Sequence, residues 1–363
     1  GIDRDACTVE ITGTSGRVDG SDSPLRVRQS GTTARFVSAV MMLSGTDRLV
    51  DADPQMRARP MGPTFEALRT LGATVSDEAN PGFLPARIRG SIHDHRPTIV
   101  LSADLSSQFI SGLLLAAPCL THGLRIELST AAVSAPYLAM TIAVMESFGA
   151  VVTCPQPGVF IVEPGGYHAA SSYRIEPDAS AASYFFAAAA ICGGSVRIDG
   201  LGSTSIQGDL GFVGALSAMG AHVHQDPSST TVEGSHLVGV DLDFSSISDT
   251  AQTMAAVAVH AEGPTRIRGI GFIRSKETDR IAAVVAELRR CGVRAIEHED
   301  GFEIFPGSVR PTRIETYDDH RMAMSFSLLG LRSSGIEIAD PGCVSKTFPG
   351  FFGVLESLRP EHS

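Results

Sequence analysis

Apolar positions recur with helical spacing in four stretches of the chain, and each stretch ends the same way. Phe65, Leu68 and Leu71 share a helical face, as do Leu138, Ile142, Met145 and Phe148. Phe212, Leu216 and Met219 repeat the pattern, and so do Ile281, Val284, Val285 and Leu288. An apolar residue or Cys, then glycine, then an extended run follows each time: Leu71-Gly72-Ala73, Phe148-Gly149-Ala150, Met219-Gly220-Ala221 and Cys291-Gly292-Val293. Glycine is expected just past a helix end, where the backbone turns left-handed. The glycine intervals are 77, 71 and 72 residues. After each glycine a strand-like run closes near a turn: Ala86–Gly90, Val159–Val162, Thr230–Val232 and Phe302–Phe305. Units of this length are too long for a solenoid repeat and fit a small mixed α/β unit. Extending the register backward from Gly72 reaches Gly1, and forward from Gly292 the helix Phe351–Leu358 closes the last unit. The pattern predicts a mixed α/β (α+β) fold of five whole units and the stump of a sixth.

A length of 363 residues suggests two domains, and 43% hydrophobic residues supply sizeable cores. The net charge of −11 excludes a nucleic-acid surface but not an anionic metabolite, which a local cluster of cations can hold. The six cysteines are scattered without a Cys-x-x-Cys, which predicts free thiols in a reducing compartment, with no disulfide framework and no metal. Apolar runs such as Ile110–Leu120 are too short to span a bilayer, and no signal or transit segment is visible. These readings predict a cytoplasmic protein with neither a membrane nor a nucleic-acid partner.

Against this acidic background three charged clusters stand out: Lys276-Glu277-Thr278-Asp279-Arg280, Asp318-Asp319-His320-Arg321-Met322 and Lys346-Thr347-Phe348-Pro349. Lys276, Arg280, Arg321 and Lys346 together suit a small polyanion. A helix is expected from about Thr278, so that Lys276 and Arg280, four apart, face one side; a salt-bridged first turn explains that segment equally well. Ser30-Gly31-Thr32-Thr33-Ala34-Arg35 reads as a small-residue loop entering a helix over Ala34–Leu43, able to bring backbone N–H groups to an anion. Arg59-Pro60-Met61-Gly62 places a cation just before a helix. Ser106-Ser107-Gln108 and Ser134-Ala135-Pro136-Tyr137 offer hydroxyls at helix starts, as caps or phosphate ligands. Asp178 reads as a helix cap, and Asp249 alone would too. His320 alone is more often structural than catalytic.

In order along the chain, Ser30–Arg35, Arg59–Gly62, Ser106–Phe109, Asp178–Phe185, Lys276–Arg280, Asp319–Met324 and Lys346–Pro349 resemble the motifs of the 5-enolpyruvylshikimate-3-phosphate (EPSP) synthase family, over the whole chain. The resemblance implies two domains joined by a hinge, each of three βαβαββ units. These correspond here to 1–173, truncated at its start, and 174–363, with the hinge near 170–177. It implies a metal-free and cofactor-free transfer of the enolpyruvyl group from phosphoenolpyruvate to the 5-hydroxyl of shikimate 3-phosphate, by a monomer. By carry-over, Gly31, Arg59, Gln108, Arg280, Arg321 and Lys346 hold phosphoenolpyruvate. Ser106, Ser107, Gln108, Ser134, Asp249 and Lys276 hold shikimate 3-phosphate. Asp249 accepts the hydroxyl proton, and Glu277 takes part in proton transfer at the methylene carbon, with a lysine such as Lys276.

Three departures bear on this. Phe272 stands where the family usually has Asn or a comparable polar residue, so one shikimate contact is not expected. Phe36 occupies a position that varies in the family. The family's opening Gly-Ser-Lys-Ser-x-x-x-Arg is not in this chain, so the chain by itself is expected to turn over weakly or not at all. An enolpyruvyl transferase for another acceptor and a non-catalytic anion-binding remnant remain alternatives.

Overall fold

A computed structural model describes residues 2–3, 8–18, 23–91, 95–102, 107–130 and 135–358. The chain divides into two compact units, one of Gly1–Ala132 with Thr141–Ser172, the other of Val133–Met140 with Tyr173–Ser363.

The glycine punctuation is a set of real helix ends. Gly72, Gly149, Gly220 and Gly292 all have positive φ, at 80°, 81°, 113° and 80°. At each, the next residue's N–H reaches back to the carbonyl five residues before it: Ala73 to Leu68 at 2.9 Å, Ala150 to Met145 at 3.1 Å, Ala221 to Leu216 at 3.0 Å and Val293 to Leu288 at 2.9 Å. This is the Schellman closure, which satisfies the last helical carbonyls and turns the chain into the following strand.

Three repeats carry the same four-stranded sheet. In the first, the strand Leu25–Arg26 is parallel to Arg48–Asp51, which pairs antiparallel with Ala86–Arg89, which pairs antiparallel with Thr74–Asp77. Thr98–Leu101, Leu124–Leu128, Val159–Val162 and Val152–Gln156 repeat that order, as do Asp241–Asp243, Thr265–Arg268, Gly301–Phe305 and Arg294–His298. The regularity is looser than glycine spacing suggests. Among the described residues, the repeat after Tyr173 has three strands, Ser195–Asp199, Ser229–Glu233 and His222–Gln225, and the last has only Thr312–Ile314 parallel to Ile336–Ile338. A glycine that ends a helix fixes the turn there and leaves open how many strands the sheet recruits.

Helices were placed less accurately at their starts than at their ends. The first begins at Gly31, capped by Ser30, and runs to Val40 before tightening into a 3₁₀ turn over Met41–Leu43. The helix expected from Thr278 begins at Arg280, capped by Asp279. In the second unit the helices Ala179–Cys192 and Ala251–Ala258 are buried on nearly every side. Their runs of Ala, Ser and Thr let neighbouring elements approach closely. The five described cysteines, Cys119, Cys154, Cys192, Cys291 and Cys343, are free thiols; Cys7 lies outside the described residues. No helix among the described residues is long and apolar enough to cross a membrane.

Because parallel strands must be joined by a crossover, each repeat with a parallel pair has one strand-to-helix entrance after its first strand and another after its second. Gly31, Ser107 and Gln108, Asp249, and Arg321 lie at first entrances. Arg59, Lys276 to Arg280, and Lys346 lie at second entrances. Free N–H groups at helix starts and the ends of strands converge there, which makes such corners suited to an anion.

Candidate functional site

In the second unit the structure gathers the six described predicted residues, Asp249, Lys276, Glu277, Arg280, Arg321 and Lys346, into one charged cluster. Arg280 is its hub, with 2% of its side chain exposed. Its Nε donates to Asp319 Oδ2 at 2.7 Å, Nη1 to Asp249 Oδ1 at 3.1 Å and Nη2 to Glu277 Oε2 at 2.8 Å. Arg321 Nη2 donates to the other oxygen of Asp249 at 2.9 Å, and Lys346 Nζ to Glu277 Oε1 at 2.7 Å. Four cations thus face three carboxylates, leaving the cluster net positive and suited to an anion. A buried ion network of this kind costs desolvation and holds together because each carboxylate is bonded to a cation.

Lys276 and Arg280 do not share a helical face. Lys276 ends the 3₁₀ turn Gly271–Ser275 and Arg280 opens the helix. Asp279, read as a possible partner of the lysine and arginine, accepts from Ala282 N at 3.0 Å and pairs with Arg274 at 2.8 Å. Capping the helix fixes its first turn, and so fixes where Arg280 leaves the backbone. Asp249 is not a cap; it sits in the 3₁₀ turn Ser248–Thr250 with both oxygens on arginines. Burial alone would raise its pKa, but the charges of Arg321, Lys276 and Arg280 outweigh that and hold the carboxyl well below the usual carboxylate range.

Asp319 is fully buried, caps the helix His320–Ser327 through Arg321 N at 2.9 Å, and anchors Arg280. The sequence motif alone gives Asp319 no role; an Asp at the start of a helix is the signal that could find one. His320 is also buried, and burial together with Arg321 pushes its pKa down to about 3, which favours the neutral ring. Asp178 caps the helix Ala179–Cys192, as expected, accepting from Ala181 N at 3.0 Å. Phe272 packs against the core of this unit.

In the first unit, Gly31, Arg59 and Gln108 come together with Arg35 and Thr32, which sequence reasoning left without roles. Arg35 Nη1 donates to Gln108 Oε1 at 2.7 Å and Nη2 to the Pro60 carbonyl at 3.3 Å; Gln108 Nε2 donates to Thr32 Oγ1 at 3.0 Å. The Arg35 guanidinium also lies over the Phe109 ring, 4.8 Å from its centroid. Gly31 carries no Cβ for a direct reason. A Cβ there would sit 2.7 Å from Arg35 Nη1 and 2.8 Å from Arg59 Nη1. Both arginines are buried, at 4% and 8% exposure, so two guanidinium groups lie side by side over the helix start. Helix Ser107–Ala116 reaches this point because Gly112 lets it close on the first helix; a Cβ at Gly112 would be 2.9 Å from the Arg35 carbonyl oxygen. Ser107 is buried in the first turn of that helix. Ser106 and Ser134 lie outside the described residues.

A model of the EPSP synthase (3-phosphoshikimate 1-carboxyvinyltransferase) family matches residues 2–355. The chain is 44% identical over 345 residues to a 3-phosphoshikimate 1-carboxyvinyltransferase of Nostoc punctiforme, covering 95% of this chain and 81% of that protein. It is 40% identical over 361 residues to the protein of the same name from Hamiltonella defensa, covering 97% and 84%. The solved EPSP synthase from Acinetobacter baumannii matches with a TM-score of 0.76 at 26% identity, covering 93% of this chain and 79% of that one. With the motifs of the family placed at its strand-to-helix corners, and with a match running nearly end to end, the chain belongs to the EPSP synthase family.

Proposed function

We propose that the protein catalyses the transfer of the enolpyruvyl group of phosphoenolpyruvate to the 5-hydroxyl of shikimate 3-phosphate, giving EPSP and phosphate, in the cytoplasmic synthesis of aromatic amino acids. The observation that carries the reading is Asp249, a carboxylate whose two oxygens are held by Arg280 and Arg321 inside a net-positive cluster. Arg280, Arg321 and Lys346 are the phosphoenolpyruvate-binding cations of this unit. Arg59, Gln108 and Gly31 take the same assignment in the first unit, where two buried guanidinium groups already concentrate positive charge.

The chemistry has two stages. The 5-hydroxyl oxygen adds to C2 of phosphoenolpyruvate while a proton is delivered to C3. Loss of phosphate from C2 and of a proton from the new methyl group then restores the double bond. Asp249 accepts the hydroxyl proton. Held by two arginines it is a weak base; an anion that draws Arg280 and Arg321 toward itself raises its basicity, so binding prepares the base. Glu277, bonded to Lys346 and Arg280, takes part in proton transfer at the methylene carbon, with Lys276.

Phosphate release on mixing both substrates tests the reading. Asp249→Asn preserves the shape and removes the base, and its rate is expected to fall by about 10²–10⁴. Release that is absent when the protein also carries the family's opening Gly-Ser-Lys-Ser-x-x-x-Arg segment, or unchanged in the variant, refutes it.

A further inference from the structure

The repeat after Tyr173 has two helix starts, at Ala179 and at the turn Gly208–Gly211, yet none of its residues has a role in the reading above. The first carries Ser180, the second Asp209, and the two are bonded to each other. Asp209 is 4% exposed. One of its oxygens, Oδ2, accepts from the Ser180 hydroxyl and, at 2.8 Å, from the Tyr137 hydroxyl. Its other oxygen is buried and accepts no hydrogen bond from the described residues. A buried carboxylate with one bare oxygen is costly unless it does something with its charge. The charged groups that act on it most strongly are Asp249 and Arg321, and the Tyr137 phenol is bonded to it. The same Arg321 is surrounded by Asp249, Tyr184, Asp209 and Tyr137.

We propose that Asp209 is a positioning residue of the anion site. It fixes the Tyr137 and Ser180 hydroxyls on one oxygen and competes with bound substrate for the charge of Arg321, so that an anion binding beside Arg321 is accompanied by a proton moving from solvent onto Asp209. The proposal rests on the reading of this cluster as the phosphoenolpyruvate site. An ionised Asp209 beside the cluster weakens the pull of Arg321 on an anion; a protonated one restores it. Burial and the neighbouring Asp249 raise its pKa to about 6, against the pull of Arg321, so a further negative charge nearby brings protonation into the neutral range. Tyr137 donates its own proton to Asp209, so it presents only an acceptor to a ligand.

The test is calorimetric titration of phosphoenolpyruvate, with shikimate 3-phosphate present, in two buffers of different ionisation enthalpy at neutral pH, on the unsubstituted protein, D209N and D209A. The unsubstituted protein is expected to take up a fraction of a proton on binding. D209N, which still accepts both hydroxyls, is expected to take up none and to bind about tenfold more tightly, the equivalent of one pKa unit. Uptake in D209N equal to that of the unsubstituted protein overturns the proposal. So does a loss of affinity common to D209N and D209A, which marks a purely structural carboxylate. If the unsubstituted protein binds neither substrate, the reading of the site fails and the proposal with it, an outcome distinct from either of those.

Discussion

Replacing Arg280 by lysine keeps the charge and removes the fork, and so asks whether geometry or charge holds the cluster together. Arg280 directs Nε and Nη2 to the two oxygens of Asp319, at 2.7 and 3.3 Å, while the same Nη2 reaches Glu277 and Nη1 reaches Asp249. A lysine ammonium is a point donor and cannot span three carboxylates arranged around a planar guanidinium. Asp319 is fully buried, so no water replaces what it loses. Two charge-assisted bonds disappear, each worth about 1.5–3 kcal/mol, and breaking one side of a buried pair costs roughly 3–5 kcal/mol. A loss of about 4 kcal/mol corresponds to roughly 10 °C in the melting temperature of a unit of this size. Differential scanning calorimetry reads this directly. Arg57→Lys is the control: its pair with Asp51 is exposed, with 45% of the arginine side chain in solvent, and its melting point is expected to stay put. An Arg280→Lys protein that melts within a degree or two of the unsubstituted one refutes the argument, because charge alone then holds the three carboxylates.

Three further outcomes follow from particular atoms. Gly31→Ala places a Cβ 2.7–2.9 Å from the Arg35 and Arg59 guanidinium groups, which must shift; KM for phosphoenolpyruvate is expected to rise several-fold with little change in melting temperature, and an unchanged KM counts against the pair as an anion site. Gly72→Ala forces a side chain into φ 80° at a helix end that contributes none of the candidate site residues, costing about 1 kcal/mol in a denaturant titration while leaving KM alone. The raised pKa of Asp209 works against stability at neutral pH: its contribution is present below the ordinary carboxylate range and is lost as pH rises through about 6, whereas that of Asp249, whose pKa is lowered, is lost as pH falls. D209N is therefore expected to gain up to about 3 kcal/mol at pH ~7 and nothing at pH ~4, and an equal gain at both values refutes the assignment.

The helix ends and the repeat were legible because they depend on local chemistry. A glycine at φ 80° has one physical reason, and Gly72, Gly149, Gly220 and Gly292 announce it at near-constant spacing. The candidate cations and Asp249, Glu277, Gly31, Arg59 and Gln108 were legible because the motifs of a family keep their residue types in order. Helix starts were harder. Ser30, Asp279 and Asp319 are all capping residues, but any polar residue nearby competes for that role, and only hydrogen bonds decide which one wins. The strand count in the last repeats was not legible either, since two-residue and three-residue strands leave almost no alternation to read.

By itself, the sequence determined the alternating α/β order, the helix C-termini and the set of residues able to meet an anion, because periodicity, glycine and motif order are properties of neighbouring positions. Only the tertiary structure decided how those residues are used. Arg280 is a hub for Asp249, Glu277 and Asp319, which stand 31, 3 and 39 positions away along the chain. Gly31 makes room for two guanidinium groups, and Asp209 is drawn to Tyr137 and Ser180, 72 and 29 positions distant. Charge pairing and desolvation depend on distances through space, and those exist only once the crossovers have brought the corners of the repeats together.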